Sequence, residues 1–292
     1  MSYWRSIIPT TLALLAFAGN SILCRLALKQ TAIDPASFTT IRLISGAAML
    51  WLLIRARSRL RFEDGNWLSA TALFAYAAAF SFAYVSLTAA TGALILFGAV
   101  QITMIWHGIQ TGERPRLGQA SGIALAFAGL VGLLLPGLSA PPLHGALLMI
   151  GAGLAWGIYS LRGRGVSDPI GVNTGNFLRT VPMALVLSAC TLPGHRLDHA
   201  GVGYAIASGA LCSGIGYAIW YTALPMLKAS TAATVQLSVP VIAAFAGIVF
   251  LNEPISWRLA LASAAVLGGI ALVLLQRRSI TVTAENTDNR GQ

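Results

Sequence analysis

Long stretches without any charged residue dominate the pattern along the chain. No Asp, Glu, Lys or Arg occurs from Gly65 to Gly112 or from Leu117 to Leu161. A helix crosses a hydrocarbon core of about 30 Å with about 20 apolar residues, because it rises about 1.5 Å per residue. Each stretch is therefore long enough for two crossings, and the pattern predicts an all-α integral membrane protein.

Short polar or proline-containing breaks divide the apolar sequence into ten predicted transmembrane helices. Residues 88–91 separate the third helix from the fourth, and the prolines within 136–142 separate the fifth from the sixth. Residues 278–292 are polar without an apolar period, which predicts a mobile cytoplasmic tail. The predicted helices span residues 7–28, 36–54, 66–87, 90–111, 117–135, 144–161, 171–191, 201–224, 230–251 and 257–275.

The composition agrees with a membrane protein. Hydrophobic residues make up 56% of the 292 residues and charged residues only 10%, whereas soluble domains carry about 25% charged residues. The net charge of +10 comes from arginines that cluster in short loops, which is typical of membrane topology and not of a nucleic-acid surface. With the N-terminus inside, thirteen Lys and Arg residues are cytoplasmic and four are periplasmic. Both termini are therefore predicted to be cytoplasmic.

Similar residues recur in the same order in the two halves of the chain, 134–140 positions apart. The Asp-Pro pair at 34–35 precedes Arg42, and the Asp-Pro pair at 168–169 precedes Arg179. The halves, 1–137 and 143–277, hold five predicted helices each. Because five is odd, the second half enters the membrane inverted, which is the repeat arrangement typical of secondary transporters. Matching glutamates follow the fourth helix of each half, at Glu113 and Glu253.

The paired arginines and glutamates resemble those of a known family. Two five-helix repeats, an arginine inside the second helix of each, and the Gly-Glu-Arg-Pro and Asn-Glu-Pro elements at Glu113 and Glu253 resemble the drug/metabolite transporter superfamily and its EamA-type ten-helix exporters. Within that group the chain is similar to bacterial aromatic amino acid exporters. The resemblance implies export of small metabolites across the bacterial inner membrane by alternating access.

Two arginines lie inside predicted helices, at an estimated depth of about 10 Å from one membrane face. A guanidinium at that depth contacts the substrate, pairs with another group, or extends its long side chain to the headgroups. Arg42 and Glu253 are both predicted near the outer face, and Arg179 and Glu113 near the inner face. Each pair could latch one end of the pathway, although glutamates at helix ends also act as caps.

Polar and aromatic residues within the spans are the candidates for substrate binding. Lipid-facing tyrosines would leave their hydroxyl groups unpaired, so such residues line a cavity or form hydrogen bonds between helices. Amide groups and backbone near Pro240 could bind the carboxylate and ammonium of an amino acid. The candidates are Tyr76, Gln101, Trp156, Tyr159, Asn176, Tyr217, Gln236 and Ser238.

These features predict a multi-pass inner-membrane exporter of amino acids with broad specificity, including aromatic ones. No acidic residue falls in the central third of a span, so transport is predicted to be facilitative and not proton-coupled. The alternative is a proton-coupled exporter of drugs or other small neutral metabolites. No catalytic motif or metal-ligand spacing is present, so we predict no enzyme activity, metal or cofactor. The predicted partners are amino acids and the lipid bilayer, not nucleic acid; the oligomeric state is left open, and a monomer is compatible with the sequence.

The topology can be tested by cysteine labelling in intact cells. Single cysteines would replace Arg59, Arg196 and Arg278 in a variant that lacks the three native cysteines. We expect a membrane-impermeant maleimide to label position 196 only, because positions 59 and 278 are predicted to be cytoplasmic. Strong labelling of position 59 from outside would contradict the arrangement.

Overall fold

A computed structural model describes residues 2–56, 65–112, 117–135, 137, 140–163, 166, 168–223, 236 and 238–288. In these residues the regular structure is entirely helical. A short 3₁₀ turn, Leu192–Gly194, lies between α7 and α8. The helices are α1 (Ser2–Gln30), α2 (Pro35–Ala56), α3 (Trp67–Tyr84), α4 (Ala89–Gln110), α5 (Leu117–Leu134), α6 (Leu143–Arg162), α7 (Pro169–Cys190), α8 (His199–Ala223), α9 (Ser238–Leu251) and α10 (Trp257–Asp288).

The bounds of these helices lie within a few residues of most predicted spans. Within the described residues, six helices are long and apolar enough to cross a membrane, namely α1, α2, α3, α4, α6 and α8. Shorter apolar stretches lie in α5, α9 and α10. Ten crossings in two inverted repeats therefore stay a prediction. The predicted start of the ninth span, at residues 230–235, lies outside the described residues, and α10 continues as a helix through the predicted tail as far as Asp288.

Side-chain caps define where five of the helices begin. A side-chain oxygen of each cap residue accepts a hydrogen bond from the backbone N–H three positions later, which satisfies a donor that the first turn leaves free. Each cap of this kind contributes about 1 kcal/mol. The cap residues are Asp34, Asn66, Thr88, Asp168 and Asp198.

Asp34 also joins two loops at the predicted periplasmic end. Its backbone N–H donates to the carbonyl oxygen of Arg196 at 3.1 Å, and its carboxylate accepts from the Arg196 N–H at 2.9 Å. Partial burial raises the pKa of Asp34, but hydrogen bonds from Ser37 and Arg196 and the nearby His195 outweigh burial and lower it. The carboxylate therefore stabilises the fold at neutral pH, and this contribution is lost as the pH falls through the lowered pKa.

A π-helical segment, Ala207–Ile215, interrupts α8 in its middle. The backbone of α2 crosses this segment closely, because glycines face each other at the crossing. A Cβ at Gly46 would lie 3.1 Å from the carbonyl oxygen of Gly209, and a Cβ at Gly209 would lie 2.1 Å from that of Arg42. The two glycines therefore hold the π segment against the part of α2 that carries Arg42.

We expect Gly209→Ala to destabilise the protein, because its methyl group would clash with Ser45 Oγ at 2.0 Å and with the α2 backbone. Overpacking of this kind costs about 1–3 kcal/mol or more. Gly203→Ala is the matched control on the same helix, since a Cβ there meets nothing within 4 Å. The melting temperature in detergent should fall for Gly209→Ala and stay level or rise for Gly203→Ala. Equal melting temperatures would contradict the close crossing.

Candidate functional site

A small central cavity lies among α1, α3, α4, α6 and α8. Trp156 lies in the middle of its aromatic wall, with ring centroids 4.9 Å from Tyr76, 4.9 Å from Tyr217 and 6.2 Å from Phe17. Offset and edge-to-face contacts of this kind are the arrangements that aromatic rings prefer. The lining residues are Phe17, Asn20, Tyr76, Phe80, Leu96, Phe97, Trp156 and Tyr217.

Arg42 lies beside this cavity and is almost completely buried, with 1% of its surface exposed. Its Nη2 donates to the Tyr76 hydroxyl at 3.1 Å, and its Nε donates to Ser213 Oγ at 3.3 Å. The guanidinium also lies 4.9 Å from the centroid of the Phe80 ring and 5.3 Å from that of Tyr76, within the range of cation–π attraction. Arg42 therefore points into the bundle and does not extend to the lipid headgroups.

The π segment of α8 supplies a polar wall next to Arg42. Ser208 Oγ donates to Asn20 Oδ1 at 2.6 Å, and Asn20 Nδ2 donates to Ser213 Oγ at 3.2 Å. Ser208 and Ser213 are five residues apart, which would place them on different sides of an α-helix. The wider π turn, with its i→i+5 hydrogen bonds, brings both to the same asparagine. Asn20, Ser208 and Ser213 thus form one buried network with Arg42.

Arg42 has no acidic partner among the described residues. The one salt bridge found there joins Arg25 and Glu253, and the Nη1 of Arg42 is buried without any hydrogen-bond partner. A buried charge is normally paired, because removing it from water is costly. The guanidinium therefore presents unused hydrogen-bonding capacity and uncompensated positive charge beside the central cavity.

A buried ion pair closes the bundle at the predicted periplasmic end. Arg25 Nε donates to Glu253 Oε1 at 2.9 Å, and Arg25 Nη1 donates to the carbonyl oxygen of Tyr84 at 2.8 Å. Glu253 Oε2 accepts from the N–H of Ala89, at the start of α4, at 2.7 Å. We call these four residues the outer clasp. It joins the ends of α1 and α3 to the start of α4 and the loop after α9.

The predicted pairing of Arg42 with Glu253 is therefore wrong, because Glu253 forms its ion pair with Arg25 of α1. Glu253 is both a partner in an ion pair and a cap for α4. The interpretation as a charge partner and the interpretation as a helix cap are therefore compatible. The predicted partner of Arg179, Glu113, lies outside the described residues. Arg179 itself donates to the carbonyl oxygen of Gly175, one turn earlier in its own helix, at 2.9 Å.

A second small cavity lies at the opposite end of the bundle, between α3, α6, α7 and α8. Arg162, at the end of α6, donates to Ser69 Oγ at 2.9 Å and to Asn66 Oδ1 at 3.1 Å. Asn176 accepts from the backbone N–H of Asn66 at 2.9 Å and donates to the Tyr159 hydroxyl at 3.5 Å. We call these five residues the inner cluster. Its described members are amides, hydroxyls and one arginine.

The predicted substrate residues fall into three groups. Tyr76, Trp156 and Tyr217 line the central cavity, and Tyr159 and Asn176 line the inner one. The others, Gln101, Gln236 and Ser238, line neither of these two cavities. Among the described residues, no group of His, Cys, Asp or Glu could hold a metal ion.

Sequence reasoning missed several residues of the site. Arg25 counted only as a loop charge that helped to set the topology, although α1 continues beyond it to Gln30. Phe17 and Phe80 read as ordinary apolar residues of a membrane helix. Ser208 and Ser213 could not be placed on one face because nothing in the sequence indicates the π segment.

The outer clasp predicts an energetic coupling between Arg25 and Glu253. Arg25→Gln would leave a buried carboxylate with one remaining donor, so it should cost about 3–5 kcal/mol of unfolding free energy. Glu253→Gln should cost less, because the amide oxygen can still accept from Ala89. The double variant should be more stable than the sum of the two losses implies, by at least about 0.5 kcal/mol.

Unfolding in detergent measures this coupling. Lys29→Ala is the control at the same end of α1, since Lys29 Nζ makes a single long contact of 3.4 Å with the carbonyl oxygen of Leu251. It should change the stability far less than Arg25→Gln. If the losses from Arg25→Gln and Glu253→Gln simply add, the two residues do not form the clasp.

The sequence and the fold of this chain match known proteins. The family model of the EamA-like transporter family matches residues 4–135 and again residues 143–275. An uncharacterized protein of Pseudomonas aeruginosa is 57% identical over 274 residues, which cover 94% of this chain and 96% of that protein. An uncharacterized transporter of Archaeoglobus fulgidus is 26% identical over 278 residues, or 89% of this chain and 94% of the relative.

A solved crystal structure has the same fold, with a TM-score of 0.66 over 94% of this chain and 99% of the other, at 19% identity. The two matches to the family model together cover most of the chain. The membrane-spanning helices and the relatives agree with the expected family. The chain is a multi-pass membrane protein that belongs to the EamA-like transporter family.

Proposed function

We propose that this transporter exports amino acids of broad specificity, including aromatic ones, across the bacterial inner membrane, with both termini in the cytoplasm. The observation that carries the proposal is the central cavity. Its wall of Phe17, Trp156 and Tyr217 suits an apolar or aromatic side chain, while Asn20 and the adjacent Arg42 supply polar contacts. A binding site with an apolar wall and a few convergent polar groups is typical for small molecules.

We propose further that the two halves are inverted repeats and that they support alternating access. Helix packing supports this: α2 packs against α7, α4 against α9 and α5 against α10. In the same way α1 packs against α8, and α6 packs against α3. These are the contacts that a twofold axis in the membrane plane would produce when each helix is matched to the one five positions later.

The outer clasp and the inner cluster are candidates for the two gates. They lie at opposite ends of α3, since Arg162 contacts Ser69 and Arg25 contacts the carbonyl oxygen of Tyr84. Fifteen helical residues separate these contacts by about 22 Å. Tyr76, on the wall of the central cavity, lies midway between them. Opening outward requires the clasp to separate, and opening inward requires α6 to move away from α3.

The described residues that line the central cavity include no acid and no histidine, which supports facilitated transport. An ion gradient drives transport only if the ion binds the two conformations differently. Glu253 is held in the outer clasp, and His107 is exposed near the end of α4. Export in cells then follows from a higher amino-acid concentration inside than outside.

Counterflow in proteoliposomes tests this function. Liposomes loaded with unlabelled phenylalanine should accumulate labelled phenylalanine transiently, with no pH gradient or voltage applied. His107→Gln should leave the rate largely unchanged, because that residue lines neither cavity. Trp156→Ala should reduce counterflow strongly, since it removes the ring at the centre of the aromatic wall.

Two results would contradict the proposal. Amino-acid transport would be rejected if protein with its native melting temperature showed no counterflow with any amino acid of a full panel. Concentrative uptake driven by an imposed pH gradient alone would reject facilitated transport and favour a proton-coupled exporter of drugs or other neutral metabolites.

A further inference from the structure

A positive charge that no described residue neutralises lies beside the central cavity. Arg42 is buried beside it, and the neighbouring polar groups, from Tyr76, Asn20 and Ser213, are all neutral. Cation–π contacts with Tyr76 and Phe80 offset only part of the cost of removing the guanidinium from water. The site therefore favours an anionic group over a neutral or cationic one.

The guanidinium is also held in a fixed orientation. Nε is engaged by Ser213 and Nη2 by Tyr76, whereas Nη1 is buried and has no partner. Ser213 in turn accepts a hydrogen bond from Asn20, so the position of the guanidinium does not depend on a ligand. A donor that is already oriented and desolvated binds an incoming acceptor with little loss of entropy. A carboxylate oxygen of the ligand would accept a hydrogen bond from this unused donor.

The aromatic wall determines what the rest of the ligand must be. The ring of Tyr76 is part of the wall and its hydroxyl accepts a hydrogen bond from Arg42 Nη2, so the aromatic wall and the buried charge are adjacent. The ring centroid of Trp156 lies 4.9 Å from that of Tyr76 and 4.9 Å from that of Tyr217. A carboxylate bound at Arg42 would thus carry an apolar or aromatic body on a short linker against Trp156.

Building on the proposed function, we propose that Arg42 binds the carboxylate of the transported solute and that the α-ammonium group is dispensable. The acceptors for an ammonium that line the cavity are neutral oxygens, such as those of Asn20 and Tyr217, and Asn20 Oδ1 already accepts from Ser208. The carboxylate would pair with the full positive charge of Arg42, whereas the ammonium would have no negatively charged partner among the described residues. The substrate class then includes aromatic monocarboxylates as well as amino acids.

Ligand binding to the wild-type protein in detergent tests this directly, through the fluorescence of its tryptophans. The probes are two matched pairs: 3-phenylpropionate with 3-phenylpropionamide, and L-phenylalanine with L-phenylalaninamide. Each acid should bind about tenfold to a hundredfold more tightly than its amide, because the amide oxygen can still accept a hydrogen bond but carries no negative charge to pair with the guanidinium. The propionate should bind within about tenfold of phenylalanine.

Substitutions localise the effect. Arg42→Gln should reduce the preference for acid over amide to near unity, and Arg42→Lys should retain part of it as a point charge. The control is Arg55→Gln on the same helix, whose exposed guanidinium lies over Trp51, 5.1 Å from the ring centroid. It should keep the wild-type preference. If Arg42→Gln does not fold, the comparison of probes on the wild type and Arg42→Lys still decides the question.

The outcomes separate this inference from the proposed function. Equal binding of acids and amides by the wild type would overturn it, even if amino acids show counterflow. Tight binding of phenylalanine without measurable binding of 3-phenylpropionate would overturn the claim that the ammonium is dispensable. A preference for acids that depends on Arg42 would support the inference, even if no amino acid showed counterflow and the proposed function failed.

Discussion

A guanidinium with no counter-ion among the described residues is the constraint on which the centre of this transporter depends. Arg42 can be buried there only because Tyr76, Ser213 and the ring of Phe80 surround it. Ser213 reaches it because α8 widens into a π turn, and that turn approaches α2 because Gly209 has no side chain. The burial of this single charge therefore depends on the π turn, on the glycine at the helix crossing and on the polar contacts together.

The two ends of the bundle are closed by different chemistry. The outer clasp is a buried ion pair that also caps α4, and separating it exposes two charges that are well satisfied in the closed state. The described contacts of the inner cluster are hydrogen bonds of Arg162 and Asn176 to neutral groups, which water can replace at lower cost. In the proposed alternating access, this difference would give the two openings different free energies.

Periodicity and charge were enough to predict most of the helices and the position of Arg42 inside one of them, because burial in a bilayer leaves a strong signal in the sequence. They were not enough to predict its partners. Ser208 and Ser213 share a face only in a π turn, and the choice between Arg25 and Arg42 as the partner of Glu253 depends on how far α1 extends. Gln101 in α4 and Gln236 are polar and buried, yet they do not line the central cavity, because polarity alone does not indicate which way a side chain faces.

In the proposed binding mode, the substrate's carboxylate accepts hydrogen bonds from Arg42 beside the aromatic cavity. A structure determined with bound L-phenylalanine tests it most directly. We expect a carboxylate oxygen within hydrogen-bond distance of Arg42 Nη1 and the phenyl ring in contact with Trp156 or Phe17. Phenylalanine bound with its carboxylate at Arg162 in the inner cavity, with the guanidinium of Arg42 still unpaired, would contradict it.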